Sequence, residues 1–206
     1  YGGVNLEYGF GIAVGPGNVI YLGGQTFSPG GIASGGFQNT PGGGGLADAF
    51  LVKFDSNGNR IWGTYYGGDF IDEVNALKVD NNENIIITGI TSSSNNIATP
   101  GEYQSTIASA YDGFLAKLNS NGERILGTYY GGNDDDRING IAVKSNNDIV
   151  VCGYTFSTTG ISTPGSHQEN FGGGINTSDA FFAILTDNPV IDIISINPQS
   201  ICEGET

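Results

Sequence analysis

A nine-residue segment that returns at a fixed interval constrains this chain more than any other feature. Arg60-Ile-Trp-Gly-Thr-Tyr-Tyr-Gly-Gly68 recurs as Arg124-Ile-Leu-Gly-Thr-Tyr-Tyr-Gly-Gly132, an offset of 64 residues, and Tyr1-Gly-Gly3 is the tail of the same motif. Three further segments recur in phase. Gly11-Ile-Ala-Val14 answers to Asn75-Ala-Leu-Lys-Val79 and to Gly140-Ile-Ala-Val143. Leu22-Gly-Gly-Gln-Thr26 answers to Ile87-Thr-Gly-Ile-Thr91 and Val151-Cys-Gly-Tyr-Thr155. Asp48-Ala-Phe-Leu-Val-Lys-Phe54 answers to Asp112-Gly-Phe-Leu-Ala-Lys-Leu118 and Asp179-Ala-Phe-Phe-Ala-Ile-Leu185. A period of this length marks a repeat architecture, in which a unit buries its apolar faces only against its neighbours.

Each unit reads as four short strands divided by turn chemistry. In the middle copy these are Val74 to Val79, Ile85 to Thr91, Asp112 to Leu118 and Arg124 to Tyr130, with Asp80-Asn-Asn-Glu-Asn84 and Asn119-Ser-Asn-Gly122 as tight turns. The Asn-Gly steps at 57–58 and 121–122 supply residues that tolerate positive φ, as hairpins require. A long polar loop, Ser92 to Tyr111, joins the second and third strands, and no segment carries a helical period. The expectation is an all-β chain of three four-stranded antiparallel repeats of about 64 residues, laid out as β-propeller blades within a larger propeller. Their bounds are about 4–68, 69–132 and 133–188. Phe50, Phe114 and Phe181 hold one equivalent position in the third strand and are expected between blades.

Composition narrows the function classes. Seven basic residues face 21 acidic ones, a net charge of −14, which repels phosphate backbones and anionic lipid and argues against nucleic-acid binding. No apolar run is long enough to cross a bilayer, so no membrane insertion is expected. The 35 glycines and scarce lysines suit a turn-rich, secreted bacterial surface protein. Two cysteines, Cys152 and Cys202, are too few for a disulfide scaffold or a zinc site. Cys152 is expected as a buried free thiol. Tyr1 reads as a point in the middle of a longer chain, with further copies before it.

The pattern Tyr-Tyr-Gly-Gly, an acidic loop, Ile-Ala-Val, Gly-x-Thr, Thr-Pro-Gly and Asp-x-Phe-Leu-x-Lys resembles the bacterial β-propeller repeat family called SBBP. Thr99-Pro-Gly-Glu-Tyr-Gln104 and Thr163-Pro-Gly-Ser-His-Gln168 fit its mid-repeat loop, whereas the first copy departs from it with a Gly-rich loop from Gly30 to Gly45. The resemblance covers residues 1 to about 187 and implies a seven-bladed ring in large secreted proteins, with no common catalytic site. From Asn188 the repeat breaks, and 189–206 resembles a linker and the first strands of a bacterial immunoglobulin-like or PKD-like domain. That second resemblance implies a disulfide partner for Cys202 further along such a domain. The third copy lacks a recognisable fourth strand. Either Val190 to Ile196 fills that edge or a strand from near the parent's N-terminus does, with the second option favoured slightly.

Several residues are candidate sites. Asp134, Asp135 and Asp136, with Asp69 and Asp72 one repeat earlier, gather carboxylates after each Tyr-Tyr-Gly-Gly and are the candidate calcium ligands. The competing reading is a loop whose Asp side chains cap backbone N–H groups. Asp48, Asp112 and Asp179 recur directly before the third strand and are expected to bond nearby amides, with a ring of carboxylates as the sharper alternative. Asp55-Ser-Asn-Gly-Asn59 looks like half a calcium loop but reads better as a hairpin turn. Trp62 and the paired tyrosines 65, 66, 129 and 130 are expected between blades with hydroxyls reaching solvent. His167, equivalent to Tyr103 and Phe37, is expected to pack rather than to ligate or catalyse.

These features point to a non-catalytic structural and binding module of a large extracellular surface protein, an adhesin of gliding, surface-adhering bacteria by resemblance. Its ligand would be a surface glycan or protein, and its other partners the neighbouring blades and Ig-like domains of the same parent. No cofactor is expected apart from the candidate calcium. A carbohydrate-active propeller enzyme and a calcium-stabilised spacer without a ligand stand as alternatives.

Overall fold

The structure, a computed structural model, describes residues 1–174, 177–186 and 193–195. Its strands are β1 (Glu7–Val14), β2 (Ile20–Thr26), β3 (Asp48–Phe54), β4 (Arg60–Tyr66), β5 (Asp72–Val79), β6 (Ile85–Thr91), β7 (Asp112–Leu118), β8 (Arg124–Tyr130), β9 (Asp136–Val143), β10 (Ile149–Thr155), β11 (Asp179–Leu185) and β12 (Ile193–Ser195). Among the described residues the sole helical element is a short 3₁₀ turn at Pro16–Asn18. The strands form three four-stranded antiparallel meanders, β1 to β4, β5 to β8 and β9 to β12. Each sheet therefore matches one copy of the sequence repeat.

The backbone explains why glycine recurs before Gly-x-Thr's threonine. In every copy the first strand carries one extra residue, at Phe10, Asn75 and Asn139. A bulge of this kind bends its strand and brings it against its neighbour. A Cβ at Gly24, Gly89 or Gly153 would stand 1.8, 1.7 or 1.8 Å from the carbonyl oxygen of Tyr8, Glu73 or Arg137. Any side chain there would displace the bulge, so the position must be glycine.

The sheets stack face to face in chain order. Tyr21, Leu51, Trp62 and Tyr66 of the first sheet meet Val74, Leu77, Ile87 and Phe114 of the second in one buried cluster. On the second sheet's other face, Ile86, Leu115 and Tyr130 meet Ile138, Val151 and Phe181 of the third. Adjacent residues of one strand thus serve opposite boundaries, as the two-residue period of a strand demands. The first strands are the ones nearest one another, β1 against β5 and β5 against β9. Arg137 of β9 pairs there with Glu73 of β5, and Asn75 Nδ2 donates to the Ile138 carbonyl at 2.8 Å.

Phe50, Phe114 and Phe181 are all buried, Phe114 between the first two sheets, Phe181 between the second and third, and Phe50 on the first sheet's other face, each beneath an aromatic ring from the fourth-strand motif that precedes it. Ring centroids lie 5.6 Å apart for Tyr1–Phe50, 5.4 Å for Tyr66–Phe114 and 5.2 Å for Tyr130–Phe181. The fourth position of the third sheet is taken by β12, whose backbone pairs Ser195 with Ile184 and Ile193 with Leu185. Three of the residues expected to open a following domain, Ile193 to Ser195, therefore lie beside the third sheet's third strand. The remainder of 189–206, Cys202 included, lies outside the described residues.

Candidate functional site

The acidic position that opens each first strand anchors a repeated network. Glu7, Asp72 and Asp136 are equivalent residues, each facing the threonine and the serine at the end of the second strand. Thr26 and Ser28 hydroxyls donate to Glu7, Thr91 and Ser93 hydroxyls to Asp72, and Ser157 to Asp136 at 2.8 Å, with Thr155 alongside. The Gly3, Gly68 and Gly132 amides complete the set, donating at 3.1, 2.9 and 2.6 Å. The same serines accept the amides of Asn5, Phe70 and Asp134 at 2.8, 2.9 and 2.9 Å. The carboxylate thus ties the chain leaving one sheet to the two strands that begin the next.

This arrangement divides the candidate calcium ligands. Asp72 and Asp136 are buried and turned inward, whereas Asp69 and Asp134 are exposed and Asp135 is half-buried. Asp69 Oδ2 accepts from Asn95 Nδ2 at 2.8 Å, and Asp135 Oδ1 accepts the Tyr111 amide at 3.2 Å. Among the described residues no three carboxylate, histidine or cysteine side chains converge on a point that could hold a metal ion.

Asp48, Asp112 and Asp179 bond amides of the long loop before the third strand, as their position suggests. Asp48 Oδ2 accepts from Gly42 at 3.0 Å, Asp112 from Ala108 at 2.8 Å and Asp179 from Gly172 at 2.6 Å. The sequence did not show that Asp48 would meet a second carboxylate. A Cβ at Gly67 would lie 2.3 Å from Asp48 Oδ1 and 2.5 Å from Asp72 Oδ2, so the two acids face each other across a glycine. Asp48 Oδ1 is buried and accepts no hydrogen bond. Burial and the Asp72 charge push the Asp48 carboxyl up to about 7, against the pull of the Gly42 amide. Burial likewise lifts Asp72 to about 6, opposed by its hydroxyl and amide donors. Asp112 and Asp136 are raised for the same first reason, burial.

The tyrosines differ from expectation. All four are buried, and their hydroxyls end on backbone carbonyls rather than in solvent. Tyr65 donates to Ser28 and Tyr129 to Ser93, both at 2.8 Å, within their own sheets. Tyr66 and Tyr130 instead cross to the following sheet, donating to Ile97 at 2.7 Å and Ile161 at 3.1 Å. Burial raises every one of these phenols, Tyr129 to about 12 with the Asp72 and Asp112 charges adding to it. Trp62 Nε1 and Lys53 Nζ both donate to the Ser120 carbonyl of the second sheet's turn. Arg60 and Arg124 hold the loop carbonyls at 31–32 and 96–97. The half calcium loop is a turn: Asp55 Oδ1 accepts the Asn57 and Asn59 amides, both at 2.8 Å, and Gly58 has φ +84°.

Two residues of the third sheet need correction. Cys152 is exposed, not buried. Its equivalent in the second sheet, Thr88, is wholly buried because the third sheet lies over it, and Cys152 points to the side where no described sheet follows. His167 is exposed as well. Phe37 and Tyr103 pack on Tyr66 and Tyr130, with centroids 6.0 and 6.1 Å apart, and the described part of the third sheet has no such tyrosine.

Two clefts remain. One of about 290 Å³ lies beside Asp48, Thr26 and the Gly43–Gly45 loop. The other, about 380 Å³, is lined by Thr155, Ile161, Gln168, Phe171, Asp179 and Phe181 among others. In the second sheet the counterparts of Gln168 and Phe181 hold the fourth-strand motif: Gln104 Oε1 accepts the Gly131 amide at 3.0 Å, and Phe114 pairs with Tyr129. The larger cleft is therefore the room in which that motif lies elsewhere. No protein-family model matches this chain, and no curated protein matches it either.

Proposed function

We propose that the three sheets are blades of a β-propeller similar to the SBBP repeat family, and that the chain is a non-catalytic structural and binding module of a large extracellular surface protein, an adhesin. The observation that carries this reading is where the recurring polar groups go. A catalytic site needs acid, base or nucleophile side chains that are free to meet a substrate. Here Asp72, Asp136, Arg60, Arg124 and the paired tyrosines each bind the chain's own hydroxyls, amides or carbonyls. Repetition of these residues in each copy then follows from building the same sheet again. The face-to-face order of the sheets, with first strands nearest one another, suits blades around an axis.

The test is binding against turnover. The purified chain, probed on arrays of cell-surface glycans and matrix proteins, is expected to retain a ligand while leaving polysaccharides intact. Hydrolysis that disappears on changing Asp134, Asp135 and Asp136 to Asn would overturn the reading, as would the absence of parent protein from the surface of intact cells.

A further inference from the structure

At the boundary between the first two sheets, two buried aspartates face each other with no basic side chain between them. Asp48 opens β3 of the first sheet and Asp72 opens β5 of the second, and each is at most 1% exposed. A Cβ on Gly67 would touch both Asp48 Oδ1 and Asp72 Oδ2, so these two oxygens turn toward one point. Beside them the Asp72 amide donates to the Ala47 carbonyl at 2.9 Å, a backbone bond from one sheet to the other. Among the described residues no lysine, arginine or histidine acts on either carboxyl.

Donors are spread unevenly around the pair. Asp72 Oδ1 accepts the Thr91 hydroxyl, and Oδ2 accepts the Ser93 hydroxyl at 2.8 Å and the Gly68 amide at 2.9 Å. Asp48 Oδ2 accepts the Gly42 amide, while its Oδ1 is buried and accepts nothing. At the second boundary the equivalent of Asp48 is fully served. Asp112 Oδ1 accepts the Ser109 hydroxyl at 2.9 Å, and Oδ2 accepts the Gln104 side-chain amide and the Ala108 amide. The first loop is glycine from 42 to 45 and brings no hydroxyl to Asp48 Oδ1. Asp136 Oδ1 also lacks a bond of normal geometry, but the Thr155 hydroxyl stands beside it. A buried acceptor without a donor is costly, and a carboxyl that keeps its proton turns that acceptor into a donor.

We propose that Asp48 and Asp72 share a proton, Asp48 Oδ1 donating it to Asp72 Oδ2, and that this bond is a pH-sensitive clasp between the first two sheets. One proton then serves the orphan oxygen and removes the repulsion of two adjoining carboxylates. Burial and the Asp72 charge hold Asp48 up to about 7, and burial holds Asp72 up to about 6. Both groups titrate higher folded than unfolded, so the clasp stabilises the seam in acid and is lost as pH rises through about 6 to 7. The other titratable groups facing the pair are phenols, Tyr65 and Tyr66 of β4 and Tyr129 of β8. All three donate to backbone carbonyls and stay neutral across this range. Asp69, in the turn before β5, is exposed and pairs with Asn95 instead. When the proton passes to solvent, two carboxylates are left face to face, and the seam loosens at Gly42, Gly67 and Gly68 while the second boundary holds. The clasp needs no ligand and stands apart from the adhesin reading.

Hydrogen exchange on the whole chain, read amide by amide and corrected for the intrinsic pH dependence of exchange, tests the clasp. Between pH 6 and pH 8 the protection of the Gly42 and Gly68 amides should fall by about tenfold, as a proton held to near pH 7 requires. The matching amides of Ala108 and Gly132 should change far less. The Asp48 Cγ resonance, followed by NMR in the unaltered protein, should titrate near neutral pH and not in the usual carboxylate range. Asp48→Asn sets an N–H where the O–H stood, so it should keep its acid-state protection at pH 8. Asp48 titrating below about pH 5 overturns the proposal, as does an equal pH response at the two boundaries or an Asp48→Asn chain that stays pH-sensitive at Gly68. Protection restored at pH 8 by calcium or sodium, and lost again in Asp48→Asn, would also overturn it, because a cation and not a proton would then join the two acids.

Discussion

Leu77 and Ile12 stand at the same place in two copies of one strand, and truncating each to alanine isolates the energy of sheet stacking. Leu77 is 5% exposed, inside the cluster between the first two sheets. Cutting a buried leucine to alanine costs about 2–5 kcal/mol, the transfer term plus a cavity that rigid sheets cannot collapse. Ile12 is 70% exposed, so roughly a third of the ~1.5–3 kcal/mol gained by burying such a side chain is at stake, on the order of 0.5–1 kcal/mol. Leu77→Ala should therefore lose about 1–4 kcal/mol more than Ile12→Ala. Urea unfolding, at a concentration low enough to keep single chains apart, measures both. Because stability in a stacked array resides in units and their interfaces, Leu77→Ala should also separate the first sheet's transition from the rest. Equal losses at the two sites would refute the register argument, and a loss below about 1 kcal/mol for Leu77→Ala would show that stacking is not where stability lies.

Three further outcomes follow from the site geometry. Asp48 and Asp72 titrate higher in the folded chain than the usual carboxylate, so the folded state binds the extra proton. Their contribution is fully present below the unfolded range near 3.8 and is lost as pH rises through about 6 to 7. Melting temperature should fall between pH 5 and pH 8, and Asp48→Asn should flatten that slope; an unchanged slope would remove the facing carboxyls as its origin. Tyr66→Phe deletes one buried hydroxyl and strands the Ile97 carbonyl, a loss of about 1–2 kcal/mol by chemical denaturation. A loss near zero would mean that the cross-sheet bond is not formed in solution. Calcium titration should leave the melting temperature unchanged, because Asp72 and Asp136 already accept from hydroxyls and amides. A calcium-dependent rise abolished by Asp134→Asn would restore the acidic loops as a metal site.

Strand positions are legible in the sequence because they follow from local chemistry. Asp112 to Leu118 is a short, mostly apolar run bounded by turn chemistry, and Asn119-Ser-Asn-Gly122 can only turn, so β7 and β8 lie where that chemistry puts them. The burial of Phe50, Phe114 and Phe181 is legible for a related reason: an aromatic repeated in phase must serve a contact that is itself repeated. Side-chain roles are not, since they depend on what lies across the sheet. An aspartate in an acidic loop reads alike whether it meets water, as Asp134 does, or a serine and an amide inside the fold, as Asp136 does. The facing of Asp48 and Asp72 joins residues of different sheets across Gly67, a proximity that no spacing along the chain encodes. Cys152 and Thr88 share a register position yet differ wholly in burial, because the third sheet lies over Thr88 and no described sheet lies over Cys152. Repetition along the chain specifies the sheet, and stacking in space decides which of its faces is a core and which a surface.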